Sequence, residues 1–168
     1  MTKNDDKRNC FDSAKIAAAR FVDYQMRSAH EVRQRLMRGG FGADVVQAVI
    51  EMFEAQGLLD DTAFALAFIQ DKLRIAKHGR FRITHGLRAK GVCAEAIAIA
   101  FGKIEESPLD YIDADSLDEA ELENAASLIS QKYRGAEFDT DTFKKAAAFL
   151  ARRGYSRDII KKAVLTGG

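Results

Sequence analysis

One six-residue design occurs three times in this chain: a leucine, three residues that are mostly polar or basic, a glycine, and a large apolar residue. The copies are Leu36-Met37-Arg38-Gly39-Gly40-Phe41, Leu87-Arg88-Ala89-Lys90-Gly91-Val92 and Leu150-Ala151-Arg152-Arg153-Gly154-Tyr155. Each reads as the end of an amphipathic helix: a glycine free to take a left-handed backbone just past the last turn, then an apolar residue folding back onto it. The residues after each copy repeat as well. Asp44, Glu95 and Asp158 stand three residues after the apolar one, where a carboxylate suits the first turn of a new helix. Val46, Ile97 and Ile160, then Ile50, Phe101 and Val164 four residues on, continue one apolar stripe at helical spacing. The copies are offset by 51 and then 63 residues, so the second interval holds an insertion of about twelve.

A chain of 168 residues has room for one or two ordinary domains, but a repeat of this size favours several small helical units stacked side by side. One proline, no tryptophan and an alanine-rich apolar share of 47% leave few strand signals. The expected fold is all-α: three tandem three-helix repeats forming an elongated, curved helical array. Residues 1–13 are expected to be a flexible tail, 14–57 the first repeat, 58–104 the second, 105–115 an acidic connector and 116–168 the third.

Local signals place the helices. Ile16, Ala19, Phe21, Val22 and Met26 share a stripe in a helix over Ala14–Arg27, and Ser28-Ala29-His30-Glu31 is a capping box opening the next, which buries Val32 and Leu36. The third helix, about Ala43–Gln56, buries Val46, Val49, Ile50 and Phe53 and stops at Gly57. Leu58-Leu59-Asp60-Asp61 then starts the second repeat, with an aspartate capping a helix that carries Phe64, Phe68, Ile69 and Leu73. In the third repeat Leu117–Tyr133 is the first helix, Thr140 or Thr142 caps the second, and Ser156 caps the last.

The net charge of +1 hides a division. Residues 104–123 hold nine carboxylates and no lysine or arginine, and setting these nine aside leaves 26 basic against 16 acidic residues. Between Lys72 and Lys90 lie seven cations (Lys72, Arg74, Lys77, Arg80, Arg82, Arg88, Lys90), two histidines and no acid. Such a stretch repels itself, and a polyanionic or acidic partner would relieve that cost. With Ile83 and Leu87 pointing inward, Phe81, His85 and Arg88 fall on the outer side of the second repeat's second helix. Phe81 there either packs against a neighbouring unit or anchors a contact stripe whose charge comes from arginines. Arg27, Arg33 and Arg38 in the first repeat and Arg152 and Arg153 in the third are further candidates for the binding face.

No run approaches the roughly 20 apolar residues needed to span a bilayer, and the start lacks the apolar core of a signal peptide, so a cytoplasmic protein without membrane contact is expected. Cys10 and Cys93 have no cysteine or histidine near them at metal-ligand spacing; both read as plain thiols, Cys93 as a buried or half-buried cap. Without a phosphate-binding glycine loop or a carboxylate placed to work with His30, His78 or His85, catalysis is not expected, nor a cofactor or metal.

Tandem three-helix units, Leu58-Leu59-Asp60-Asp61 followed by Phe64-Ala65, Gly79 four residues before Ile83, and Leu87 through Lys90-Gly91-Val92 together resemble the bacterial recombination regulator RecX, from about Ala14 to Val164. The resemblance implies a negative modulator of the RecA recombinase. It would lie in the groove of the RecA filament on single-stranded DNA and suppress its ATPase, strand exchange and coprotease activities, acting as a monomer with at most weak direct DNA binding. The chain departs from the family at Gly86, which stands where an acidic residue is frequent and which costs a helix about 1 kcal/mol relative to alanine if exposed. The alternative is a basic helical-repeat or helix-turn-helix protein acting on DNA directly. In that motif the helix after the turn carries the base-reading side chains. Here the helix after Phe41 has no lysine or arginine up to Glu54, and the one after Val92 has none before Lys103.

Overall fold

The structure is a computed structural model that describes residues 10–135 and 137–166; the expected flexible tail falls largely on residues 1–9, outside the described residues. All regular structure among the described residues is helical: α1 (Phe11–Tyr24), α2 (Ala29–Arg38), α3 (Ala43–Ala55), α4 (Asp61–Arg74), α5 (Arg80–Ala89), α6 (Ala94–Glu106), α7 (Pro108–Ile112), α8 (Leu117–Lys132), α9 (Thr140–Arg152) and α10 (Arg157–Thr166). Helix α1 begins three residues before expected and ends three before, because Gln25 is extended (φ −164°) and breaks the stripe short of Met26. Asp139, not a threonine, caps α9: its carboxylate accepts from the Thr142 amide at 2.7 Å. Cys93 does cap α6 through Sγ but is exposed, not buried.

The repeated glycines behave alike. Gly40, Gly91 and Gly154 have φ of +86°, +75° and +86°, and Phe41, Val92 and Tyr155 donate their amides back to the carbonyls of Leu36, Leu87 and Leu150. The apolar residue of each copy is buried, and Asp44, Glu95 and Asp158 occupy first turns. Of the predicted stripe, Phe101 and Ile160 are only half-buried, the latter because Ile159, Ala163 and Val164 take the inner face of α10.

Burial divides into three cores. Val32, Leu36, Val46, Ile50 and Phe53 centre the first, Ile69, Leu73, Ile83, Leu87 and Ile97 the second, and Ile129, Leu150, Ile159 and Val164 the third. The second core takes more than its own helices. Ile112 and Ala114 of the connector and Leu117 and Ala120 of α8 pack into it, so the acidic segment and the start of the third repeat's first helix belong physically to the second.

Candidate interaction surface

The units meet through one joint, used twice. At the first, the N-cap of α2 abuts the C-terminal end of α5: Ser28 Oγ donates to the Lys90 carbonyl at 2.7 Å, and Asp61 of α4 accepts from the Ala29 amide at 2.9 Å. At the second, the N-cap of α5 abuts the end of α9: the Gly79 and Phe81 amides donate to the Arg153 and Gly154 carbonyls at 2.9 and 3.0 Å, while Glu121 of α8 accepts from the Arg80 amide at 2.7 Å. These are the same positions, since Ser28 and Gly79 differ by 51 and Lys90 and Arg153 by 63. A free carbonyl end thus faces a free amide end, and a carboxylate from the next unit's first helix completes the cap. The glycines permit the approach: a Cβ on Gly91 would overlap the His30 side chain, and one on Gly154 the Arg82 backbone. The second joint is reinforced by Tyr155 Oη donating to the Lys77 carbonyl at 2.8 Å, Lys77 Nζ to Ser127 Oγ at 2.8 Å, and Arg153 Nη1 to the Ala76 carbonyl at 3.0 Å.

Between units two and three this joint leaves a groove of about 580 Å³, lined by Phe68, Lys72, His78, Phe81, Arg82, His85 and Arg152 among others and by no carboxylate. Phe81 is 65% exposed at its edge, and beside it Ala151 and Gly154 of the third unit form the far wall. Gly86 is half-buried against Phe68, whose ring would lie 3.1 Å from a Cβ there, closer than ordinary contact, so the bare glycine makes room for the ring. His78 has its pKa lowered by burial and then by the charges of Arg82, Arg153 and Lys72, which favours the neutral ring at neutral pH.

The cations are less alike than the sequence suggested. The expectation of seven without counter-charge does not hold in space, because Asp71, just before the stretch, pairs with Lys72 and residues distant in the chain fold onto three of the others. Lys72 pairs with Asp71 at 2.7 Å, Arg74 with Asp113 at 3.3 Å and Lys90 with Glu31 at 2.7 Å. Arg80 reaches Glu105, Asp118 and Glu121 at 3.4, 3.2 and 3.7 Å. Glu121 itself is 2% exposed and its pKa is raised, burial outweighing the Arg80 amide bond and charge. Glu31 is the reverse: burial raises its pKa, but the Lys90 hydrogen bond, the Ser28 amide and nearby cations together lower it.

That leaves Arg82, His85 and Arg152 exposed in the groove with Phe81, and Arg88 exposed two turns along the same helix; none forms a salt bridge among the described residues, though Arg82 Nη1 also donates to the Arg152 carbonyl at 2.9 Å. Arg33 and Arg38 lie apart on the first unit, bonded to Gln47 and Gln34, and Arg27 stacks over Phe21 at 4.2 Å. Sequence reasoning missed the joint residues Asp61, Glu121 and Tyr155. The corresponding spacing of Ser28 with Gly79 was legible, but not what each would face.

Three family descriptions match the chain in order: RecX, first three-helix domain, over residues 14–52; second, over 60–100; and third, over 119–164. Regulatory protein RecX of Mycobacterium avium (strain 104) is 30% identical over 157 residues, covering 92% of this chain and 84% of that protein. Regulatory protein RecX of Clostridium botulinum (strain Alaska E43 / Type E3) is also 30% identical, over 152 residues, covering 88% of this chain and 65% of that protein. Among solved structures, the crystal structure of RecX from Lactobacillus salivarius superposes with a TM-score of 0.78 at 19% identity, over 94% of this chain and 96% of that one, a likeness of fold.

Proposed function

We propose that this chain, which belongs to the RecX family, is a negative modulator of RecA. It would bind the RecA filament on single-stranded DNA and inhibit its ATPase, strand exchange and coprotease activities. The observation that carries the reading beyond family membership is the groove beside Phe81. An exposed aromatic ring in a groove with Arg82, His85 and Arg152, with Arg88 two turns further along the same helix and no carboxylate in the lining, suits an acidic or polyanionic partner. The jointed units support it further, since three modules held end to end span more of a filament than one compact domain. The residues proposed to touch the partner are those four with Phe81. Arg80, Lys77, Lys90 and Arg153 act by holding the units in register, Arg74 ties the connector to α4, and Arg27, Arg33 and Arg38 form a second, more distant patch.

No helix among the described residues is long and apolar enough to cross a membrane, and none of their His, Cys, Asp and Glu side chains cluster as a metal site. The proposal is of a cytoplasmic monomer that binds without catalysis. Adding the protein to preformed RecA filaments on single-stranded DNA and following ATP hydrolysis and strand exchange tests it. Both should fall. If a several-fold molar excess leaves both unchanged, the proposal is wrong, and equal affinity for naked DNA and filament would favour direct DNA binding instead.

A further inference from the structure

The first helices of units one and two correspond residue for residue: Ala14 with Ala65, Ala18 with Ile69 and Val22 with Leu73. Their surroundings differ. On α4 the connector is seated: Gln70 Nε2 donates to the Tyr111 carbonyl at 3.3 Å, Arg74 pairs with Asp113, and Ile112 joins the core that contains Leu73, which is 1% exposed. On α1 nothing equivalent is present, because the link to the next unit is the five residues 56–60, with no helix, where the second link is the ten residues 107–116 that carry α7. The corresponding surface opens instead into a cleft of about 720 Å³ lined by Val22, Asp23, Met26, Leu58 and Ala63. Val22 is only half-buried where Leu73 is sealed, and Met26 and Leu58 are each 53% exposed.

We propose that this cleft is a docking groove for a short apolar helix of another protein, received in the seat that α7 fills one repeat along. The register sets the partner's chemistry. The residue of α1 that corresponds to Arg74 is Asp23, which has no salt bridge among the described residues, so the incoming helix carries a lysine or arginine where α7 carries Asp113. An aromatic or branched aliphatic residue beside it covers Val22, Met26 and Leu58, as Ile112 covers Leu73. This groove lies on the opposite joint from Phe81, and the inference stands independently of RecA.

The test uses the full chain with labelled methionine, leucine and valine methyls and two lactam-bridged peptides of residues 107–115, one native and one with Asp113→Lys. The bridge compensates for the weak helicity of so short a peptide. Saturable shifts at Met26 and Leu58 are expected, with several-fold tighter binding of the lysine peptide. Asp23→Lys in the protein should reverse that order, and Leu58→Glu, at an exposed position, should remove the shifts without altering the melting curve. The absence of saturable shifts at Met26 and Leu58 with either peptide at millimolar concentration overturns the proposal, as does an order of affinity unchanged by Asp23→Lys.

Discussion

Three glycines with the same backbone have different neighbours, and substitution should separate the two roles. Gly40, Gly91 and Gly154 all lie at positive φ, so alanine at any of them strains the backbone by about 1–2 kcal/mol. Gly40 has nothing within 4 Å of where a Cβ would stand, whereas Gly91 and Gly154 press on His30 and Arg82 of the neighbouring unit. Gly40→Ala should therefore show the backbone cost alone in chemical denaturation, and Gly154→Ala a larger loss together with weakened protection of the Gly79 and Phe81 amides in hydrogen exchange. Glu121 carries a pH signature. Its folded pKa is raised, so the stability it contributes is complete below the ordinary carboxylate value of about 4.3 and is lost as pH rises through the folded value. Glu121→Gln keeps an acceptor for the Arg80 amide and removes that loss. Relative to wild type, the variant's melting temperature should rise between about pH 4 and pH 7; a difference that is flat across that range would exclude burial as the dominant influence on Glu121.

At the scale of elements, the joint is a capping arrangement divided between units. Neither Gly79 nor its helix supplies a side-chain cap for α5; α8 does, through Glu121, and α4 serves α2 in the same way through Asp61. The connector that lengthens the second interval has become part of the second core. Ile112→Ala should accordingly cost about 2–4 kcal/mol, as for a core residue, although it lies in an acidic insertion. The acids around Arg80 hold that arginine away from any outside anion. Replacing Glu105 and Asp118 by their amides should free it in part and strengthen binding to single-stranded DNA at low salt, the condition in which a competing internal charge weighs most. Unchanged affinity there would mean that Arg80 is structural alone.

For the whole molecule, inhibition and folding should be separable. Arg82→Glu with Arg88→Glu reverses charge beside Phe81 and two turns along the same helix, both at exposed positions. It should abolish inhibition of the RecA filament while lowering the unfolding free energy only by what the Arg82 bond to the Arg152 carbonyl contributes, about 0.5–1.5 kcal/mol. Full inhibition by that variant would move the binding face to the first unit's Arg27, Arg33 and Arg38 or to the third unit's Arg152 and Arg153. Helical content by circular dichroism is the control.

The helices, their glycine ends and the three-fold repeat were legible in the sequence because they rest on local chemistry: a 3.6-residue apolar period, a left-handed glycine, and a carboxylate in a first turn act within a few residues of themselves. The candidate surface was only partly legible. Phe81, His85 and Arg88 followed from the angle each holds relative to Ile83 and Leu87, and all three are exposed. Which cations remain available did not follow, since a charge's partner is chosen by distance in space: Asp113 lies 39 residues from Arg74 and Glu121 41 from Arg80, yet both pairs close within 4 Å. The fate of the insertion was likewise beyond local rules. Its acidity marked it as a connector, and only the tertiary structure, by placing Ile112 and Ala114 in the core shared with α4, turned it into the piece that seals the second core and leaves the matching cleft on the first unit open.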